Sequence, residues 1–422
     1  MQNDSQATVT GFAGMGIAPA LLEALAKLKI TEPSPIQKQA IPSGIQGKDV
    51  MGVAQTGTGK TFAFGIPMLQ RLPQLKGRGL IILPTRELAI QVDEALRQLI
   101  GRSGLRTAVL IGGISMYPQL NALARNPDII IGTPGRLNDH LQEKTLRLDN
   151  VKMVVLDEAD RMLDMGFTPQ IKKIFSFLPK ERQTMLFSAT MPADIIRMAT
   201  AYMKLPIRIE VAPTGTTAEN VTQEIFILPK ENKVRLVEKL LEQYLGPTLI
   251  FTRTKYGAKH LAQNIRELHH TAAEIHSNRS LSQRQDALKG FKSGKYRVLV
   301  ATDIASRGID VIGIELVINY DLPTNAEDYI HRIGRTARAS ASGHAISLVT
   351  PEQRGELRDI ERLVRKNLPV SKVPELPPAR ISKFVAPEPV QGYGHRSRSH
   401  SGYGRSRPSG GQSTGNSFRR RY

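Results

Sequence analysis

The sequence contains no cysteine and no tryptophan. Without cysteine there is no disulfide framework, no thiolate metal site and no cysteine nucleophile. No apolar run approaches the roughly 18 residues that span a bilayer. Residues Met1–Thr10 are polar and lack the basic start and apolar stretch of a secretory signal. The expectation is a soluble cytoplasmic protein with no membrane partner. Acidic residues are also scarce relative to basic ones, 38 against 58, which leaves a net charge of +20. Such an excess points to a polyanionic partner, most often nucleic acid. What is present is a chain of 422 residues, 40% hydrophobic, enough for two or three domains with real cores.

Short β-branched runs alternate with helical patterns over about 47–211. Expected strands are Asp49–Val53, Gly79–Leu83, Thr107–Ile111, Asp128–Ile131, Met153–Leu156, Thr184–Phe187 and Ile207–Val211. Thr85–Leu99 reads as an amphipathic helix. The alternation predicts an α/β fold, a parallel sheet with helices on both faces. Runs such as Ile129–Ile131 are continuously apolar, as in strands buried on both sides. The N-terminal domain is taken as 1–211 and a polar linker as 212–220. The pattern resumes with strands at Glu224–Leu228, Thr248–Phe251, Ala272–Ile275, Val298–Ala301, Leu316–Tyr320 and Ala345–Val349, so a second domain of the same class is taken as 221–370. Residues 371–422 are assigned to a disordered basic tail. Its last part, Val390–Tyr422, holds seven Arg, no acidic residue, and interleaved Tyr393, Tyr403 and Phe418. That composition cannot fold alone, but it suits phosphate contact and base stacking.

The sharpest local signal is Ala54-Gln55-Thr56-Gly57-Thr58-Gly59-Lys60-Thr61, after a strand and opening a helix. Gly57 and Gly59 allow backbone N–H groups to turn towards phosphate oxygens. Lys60 would reach the β/γ phosphates of ATP, and Thr61 would offer a hydroxyl to Mg²⁺. Ala54 stands where the general pattern has its first Gly, and a chance Gly-rich turn is the rival. About a hundred residues on, a buried strand runs into Asp157-Glu158-Ala159-Asp160. Asp157 is placed to hold Mg²⁺ and Glu158 to orient or deprotonate a water. The rival is an acidic helix N-terminus.

Asp157-Glu-Ala-Asp160 is one of an ordered set that also includes Pro84-Thr-Arg-Glu-Leu-Ala89, Gly112-Gly113, Thr133-Pro-Gly-Arg136, Ser188-Ala-Thr190, Ala301-Thr-Asp303, Arg307-Gly-Ile-Asp310 and His331-Arg-Ile-Gly-Arg-Thr-Ala-Arg338. The chain resembles the DEAD-box ATP-dependent RNA helicases over about residues 12–350, and more loosely their bacterial RhlE-like subgroup. The resemblance implies two tandem RecA-like domains. It implies that Gln37 reads adenine, with Phe12 helping to form the pocket, and that Asp310 contacts the ribose. Asp160, Ser188, Thr190 and His331 would couple hydrolysis to RNA handling. Arg335 and Arg338 would join Lys60 and Glu158 in catalysis. RNA would be held without base reading by Thr85, Arg86, Gly113, Thr133 and Arg136, and by Thr252, Arg253, Thr302 and Gly308.

Two departures stand out. Lys29-Ile30 replaces Gly plus an aromatic, and Leu281 replaces a Gln in the element that keeps Arg284. The implied activity is RNA-stimulated ATP hydrolysis coupled to local opening of short duplexes, with ribosomal or RNA-decay complexes as partners. The alternative is an ATP-gated RNA clamp or annealing chaperone with little unwinding.

Overall fold

The computed structural model describes residues 11–378 apart from 55–56, 102–103, 212–220, 304–310, 312, 337–342 and 365. The expected linker 212–220, and the tail from 379 onward, therefore lie outside the described residues.

The first half places seven strands in one sheet: β1 (Val50–Val53), β2 (Arg78–Ile82), β3 (Thr107–Leu110), β4 (Ile129–Gly132), β5 (Val151–Leu156), β6 (Gln183–Ser188) and β7 (Ile207–Glu210). Its helices are α1 (Pro19–Lys27), α2 (Pro35–Ile45), α3 (Lys60–Leu75), α4 (Arg86–Ile100), α5 (Tyr117–Ala124), α6 (Pro134–Gln142), α7 (Ala159–Asp164), α8 (Thr168–Ser176) and α9 (Ala193–Tyr202). The second half repeats the plan with β8 (Val221–Ile227), β9 (Thr248–Thr252), β10 (Ala272–Ile275), β11 (Val298–Thr302), β12 (Leu316–Asn319), β13 (Gly343–Val349) and β14 (Val370–Ser371). Among the described residues its helices are α10 (Lys233–Gln243), α11 (Lys255–Glu267), α12 (Leu281–Lys292), α13 (Ala326–Ile333) and α14 (Arg354–Val364).

All strand pairs are parallel. The order is β3-β4-β2-β5-β6-β1-β7 in one sheet and β10-β11-β9-β12-β13-β8-β14 in the other. Counted from the first strand of each half, these are the same order. Central strands are apolar on both faces because helices cover both: Ile129, Ile130 and Ile131 are fully buried, Ile129 and Ile131 in one cluster and Ile130 in the cluster on the opposite face. Burying each such side chain stabilises by roughly 1.5–3 kcal/mol.

Helix α4 shows how sequence produces the layer. The Thr85 hydroxyl accepts from Leu88 N–H and caps the helix. Ala89, Val92, Leu96 and Leu99 then recur at helical spacing and are buried. Helix α11 repeats this, with the Thr254 hydroxyl accepting from Gly257 N–H and with Ala258, Leu261, Ala262 and Ile265 buried.

The C-terminal boundary differs from the expected 370. The short strand β14 pairs with β8, and the Arg235 guanidinium donates to the Pro377 carbonyl at 2.5 Å. The compact unit runs to Pro378. Residues 371–378 are proline-rich and carry no periodicity, which is why pattern alone assigned them to the tail. No helix among the described residues is long and apolar enough to cross a membrane.

Candidate nucleotide and RNA site

The phosphate-loop candidate follows β1 and opens α3, as its spacing requires. Gly57 and Gly59 have φ of +84° and +86°, a region closed to most side chains. A Cβ on Gly59 would lie 2.3 Å from Gln37 Nε2. Gln37 itself is buried. Its amide donates to the Gly59 carbonyl at 3.0 Å and accepts from Ser34 N–H at 2.9 Å. Those bonds use one donor and one acceptor and leave the amide one N–H and further acceptor capacity. Gln55 and Thr56 lie outside the described residues, as do Gly308, Asp310 and Arg338.

Lys60 is 6% exposed, and its ammonium has no hydrogen-bond partner. It lies 3.9 Å from Asp157 Oδ1. Burial pushes the Asp157 carboxyl up to about 6, against the pull of Lys60. Both groups therefore lack the counter-charges that phosphate and a cation would supply. Glu158 occupies left-handed backbone, φ +52°, at the turn between β5 and α7. Such strain in a non-glycine residue costs about 1–3 kcal/mol and is typical of functional turns. Burial acts to raise the Glu158 pKa, but Arg161, Lys60 and Arg335 more than offset it and hold the carboxyl below its ordinary value. The Arg161 contact is a buried ion pair of 2.6 Å.

Asp160 binds the turn after β6. Its Oδ2 accepts from Ala189 N–H at 3.0 Å, Thr190 N–H at 2.8 Å and the Thr190 hydroxyl at 3.0 Å. Its own N–H donates to Ser188 Oγ at 3.3 Å, and the Ser188 carbonyl accepts from Ala54 N–H at 2.9 Å. The phosphate loop, the acidic turn and Ser188–Thr190 are thus one bonded unit. Burial opposes ionisation of Asp160, yet His331, Lys60 and the Thr190 bonds lower its pKa. His331 and Arg335 belong to the second half, so both halves bear on these acids. Arg335 is 3% exposed and donates from Nε to the His331 carbonyl at 3.2 Å. Phe12 is buried in the apolar cluster of the first domain.

A cationic face lies at the carboxyl ends of β2, β3 and β4. Thr85 and Thr133 stand at the N-caps of α4 and α6, and both are buried. Gly113 has φ +73°, and a Cβ there would meet Arg86 Nη1 at 1.8 Å. Arg136 donates to the Ile114 carbonyl at 3.0 Å. Burial lowers the Arg86 pKa, and nearby Arg284 and Arg136 act in the same direction. Crowded guanidinium groups of this kind suit a phosphate backbone. In the second half Thr252 is fully buried, with its hydroxyl donating to the Thr254 carbonyl at 3.3 Å. Arg253 pairs with Glu356 at 2.7 Å, and Thr302 ends β11.

Residues 34–198 match the DEAD/DEAH box helicase family, and 232–340 match the helicase conserved C-terminal domain. The chain belongs to the DEAD/DEAH box helicase family. It is 42% identical over 367 residues to the ATP-dependent rRNA helicase RRP3 of Debaryomyces hansenii, covering 86% of this chain and 77% of that protein. It is 42% identical over 371 residues to the DEAD-box ATP-dependent RNA helicase CshA of Bacillus cereus, covering 87% and 70%. Among solved structures, S. cerevisiae Dbp5 bound to RNA and ADP BeF3 is similar with a TM-score of 0.77 and 29% identity, over 86% of this chain and 95% of that one.

In this helicase several positions acquire a reason only from their contacts. Lys29 has φ +58°, which explains a preference for Gly there, and Ile30 packs against the first apolar cluster. Leu281, at the start of α12, packs against that same first-domain cluster, and nearby Arg284 pairs with Glu87 of α4 at 2.9 Å. The departure at Leu281 is thus an apolar contact between the domains. Leu281→Ala is expected to weaken RNA binding by about tenfold with a non-hydrolysable ATP analogue present, matching roughly 1–2 kcal/mol of lost burial. Fluorescence anisotropy with and without the analogue checks this, and an equal loss in both states would refute a role in closure.

Two residues were missed from sequence. Arg161 pairs with Glu158, and its position directly after the Asp-Glu-Ala-Asp run was an available signal. Arg332, 2% exposed, grips both Asp303 oxygens at 2.5 and 2.7 Å, donates to Asn319, and lies over the Phe251 ring. It sits inside the His331–Arg338 run, but nothing local announces those partners.

Proposed function

We propose that this protein is an ATP-dependent RNA helicase whose ATP hydrolysis is switched on by RNA and opens short duplexes locally. The observation that carries this reading is the convergence of both domains on one acidic turn. Asp157, Glu158 and Asp160 face Lys60 from the first domain and feel His331 and Arg335 from the second. A site completed by two domains can act only when they close. Relatives named as ATP-dependent RNA helicases, and a structural neighbour bound to RNA and ADP BeF3, support the same conclusion.

In this reading Lys60 and the N–H groups of the 54–61 loop bind the ATP phosphates, and Gln37 meets the adenine edge with its remaining donor and acceptor capacity. The buried, unbonded Lys60 ammonium and the raised Asp157 fit a Mg²⁺–triphosphate. Asp157 and Thr61 would hold the ion, which offsets phosphate charge when bound. Glu158, kept ionised by Arg161, orients a water whose oxygen attacks the γ-phosphorus. The water's proton passes to Glu158, and the bond to the β–γ bridging oxygen breaks, leaving ADP and phosphate. Arg335, with Arg338, neutralises charge developing on the transferred group. Asp160, through Ser188–Thr190, ties that event to the rest of the first domain.

The RNA strand lies along Arg86, Gly113 and Arg136 and continues past Arg253 and Thr302. Its contacts are to the backbone and therefore largely sequence-independent. The bacterial RhlE-like placement draws on the compact core and the basic tail. The cytoplasmic assignment, and ribosomal or RNA-decay complexes as partners, are part of the same proposal. The test is ATP turnover with no nucleic acid, with RNA, and with DNA of the same sequence. RNA should raise the rate at least tenfold and DNA should not. Equal rates in all three would leave a nucleotide-binding protein with no helicase coupling. High RNA-stimulated turnover without strand separation would favour the clamp or annealing alternative, to which the seven arginines of Val390–Tyr422 lend weight.

A further inference from the structure

The matched strand order of the two sheets has a consequence at the second domain's counterpart of the phosphate loop. β8 holds the place of β1, and β12 that of β5. Lys233 is the first residue of α10, as Lys60 is of α3. Asp321 is the second residue after β12, where Asp157 is the first after β5. The two pairs have nearly the same separation: Lys233 Nζ–Asp321 Oδ1 is 3.7 Å, and Lys60 Nζ–Asp157 Oδ1 is 3.9 Å. The second domain therefore retains the Lys–Asp pair of a nucleotide site.

Its loop differs. Pro229-Lys-Glu-Asn232 contains no glycine and closes as a tight 3₁₀ turn. It cannot present a nest of N–H groups, so it cannot cradle a triphosphate. An open pocket of about 580 Å³ nevertheless remains beside it, walled by Lys230, Lys233, Arg253, Tyr256, His260 and Tyr320. Lys233 is 2% exposed, donates to the Tyr320 carbonyl at 2.7 Å, and lies 5.4 Å from the centre of the Tyr320 ring. Tyr256 is 70% exposed, with the Lys255 ammonium over its ring. Cationic groups outnumber the single lining carboxylate, Asp321, and two tyrosines offer ring faces. That is the chemistry of a phosphate beside an unstacked base. Arg253 lies both on this wall and on the proposed RNA path.

We infer that this pocket binds one nucleotide unit of the RNA strand, its phosphate towards Lys230 and its base against Tyr256 and Tyr320, extending the RNA path beyond Arg253. The inference rests on the proposed function only in taking RNA as the ligand. A nucleoside monophosphate in solution has the same chemistry, so the test separates the two.

The experiment measures binding of labelled oligouridylates of increasing length to the full chain with Mg²⁺ and a non-hydrolysable ATP analogue. One added nucleotide at one end should tighten binding by about tenfold, within the range expected for stacking of one base. In Tyr256→Ala and in Lys230→Glu the ratio between the longer and the shorter strand should fall to near one. Both substituted side chains are exposed, and thermal unfolding followed by circular dichroism verifies the fold. Absence of a step in the wild type, or a step that survives both substitutions, overturns the inference. Uridine monophosphate that binds the pocket more tightly than the step implies would overturn the strand assignment in favour of a free nucleotide. If RNA stimulates ATP turnover but the step is missing, the pocket fails while the proposed function stands.

Discussion

Glu158→Gln is expected to lower RNA-stimulated ATP turnover by roughly a thousandfold, within the 10²–10⁴ range for a positioned proton acceptor. The substitution keeps the shape, and the new amide oxygen can still accept from Arg161. What is lost is the charge that holds and activates a water. Glu158 has φ +52°, and Gln would carry the same backbone strain there, so stability should change little. ATP affinity should persist, because the phosphate contacts assigned to Lys60 and its loop are untouched. Phosphate release at saturating ATP and RNA reads the effect. A residual rate within tenfold of the wild type would remove Glu158 from the chemistry and shift attention to Asp157 or Asp160.

Arg335→Ala is expected to lower kcat by about 10³, the lower end of the range for an arginine supplied across a domain interface. Arg335 is buried at 3% and close enough to Glu158 to depress its pKa. Because it belongs to the second domain, ATP binding to the first should survive. The loss should therefore fall on kcat and not on KM for ATP. Arg335→Lys should recover little, since an ammonium lacks the planar fork of a guanidinium. Truncating a buried arginine also risks the local packing, so a melting curve belongs beside the kinetics. A kcat loss accompanied by a drop of many degrees in Tm would be a folding effect, whereas an unchanged Tm isolates the transition-state role. An equal rise in KM would point to ground-state binding of ATP instead.

The motifs from which the site is proposed were legible because they are written in contiguous residues. A strand, two glycines at spacing two, and a lysine opening a helix are a local signature of a phosphate loop. Short β-branched runs of four or five residues marked thirteen of the fourteen strands among the described residues to within a few residues. The missed one, Val370–Ser371, is two residues long and has no period to read. Arg332 and the contact role of Leu281 were not legible, because each depends on what lies opposite. The pairing of Asp160 with Thr190 was reached only through resemblance. The residues are 30 apart in the chain, and they meet because β5 and β6 are neighbours.

The sequence by itself determined the class of the fold and its division into two like halves, and it supplied the residues from which the nucleotide loop and its acids are proposed. Periodicity, glycine freedom and charge are local properties, and they survive reading along a line. The tertiary structure alone decided which distant groups share a charge environment: Glu158 with Arg335, Arg284 with Glu87, Lys233 with Asp321. Alternating strands and helices admit many strand orders, and only the order actually adopted brings the end of β12 beside the start of α10. For that reason the second Lys–Asp pair, and the pocket beside it, could not be seen before the chain was folded.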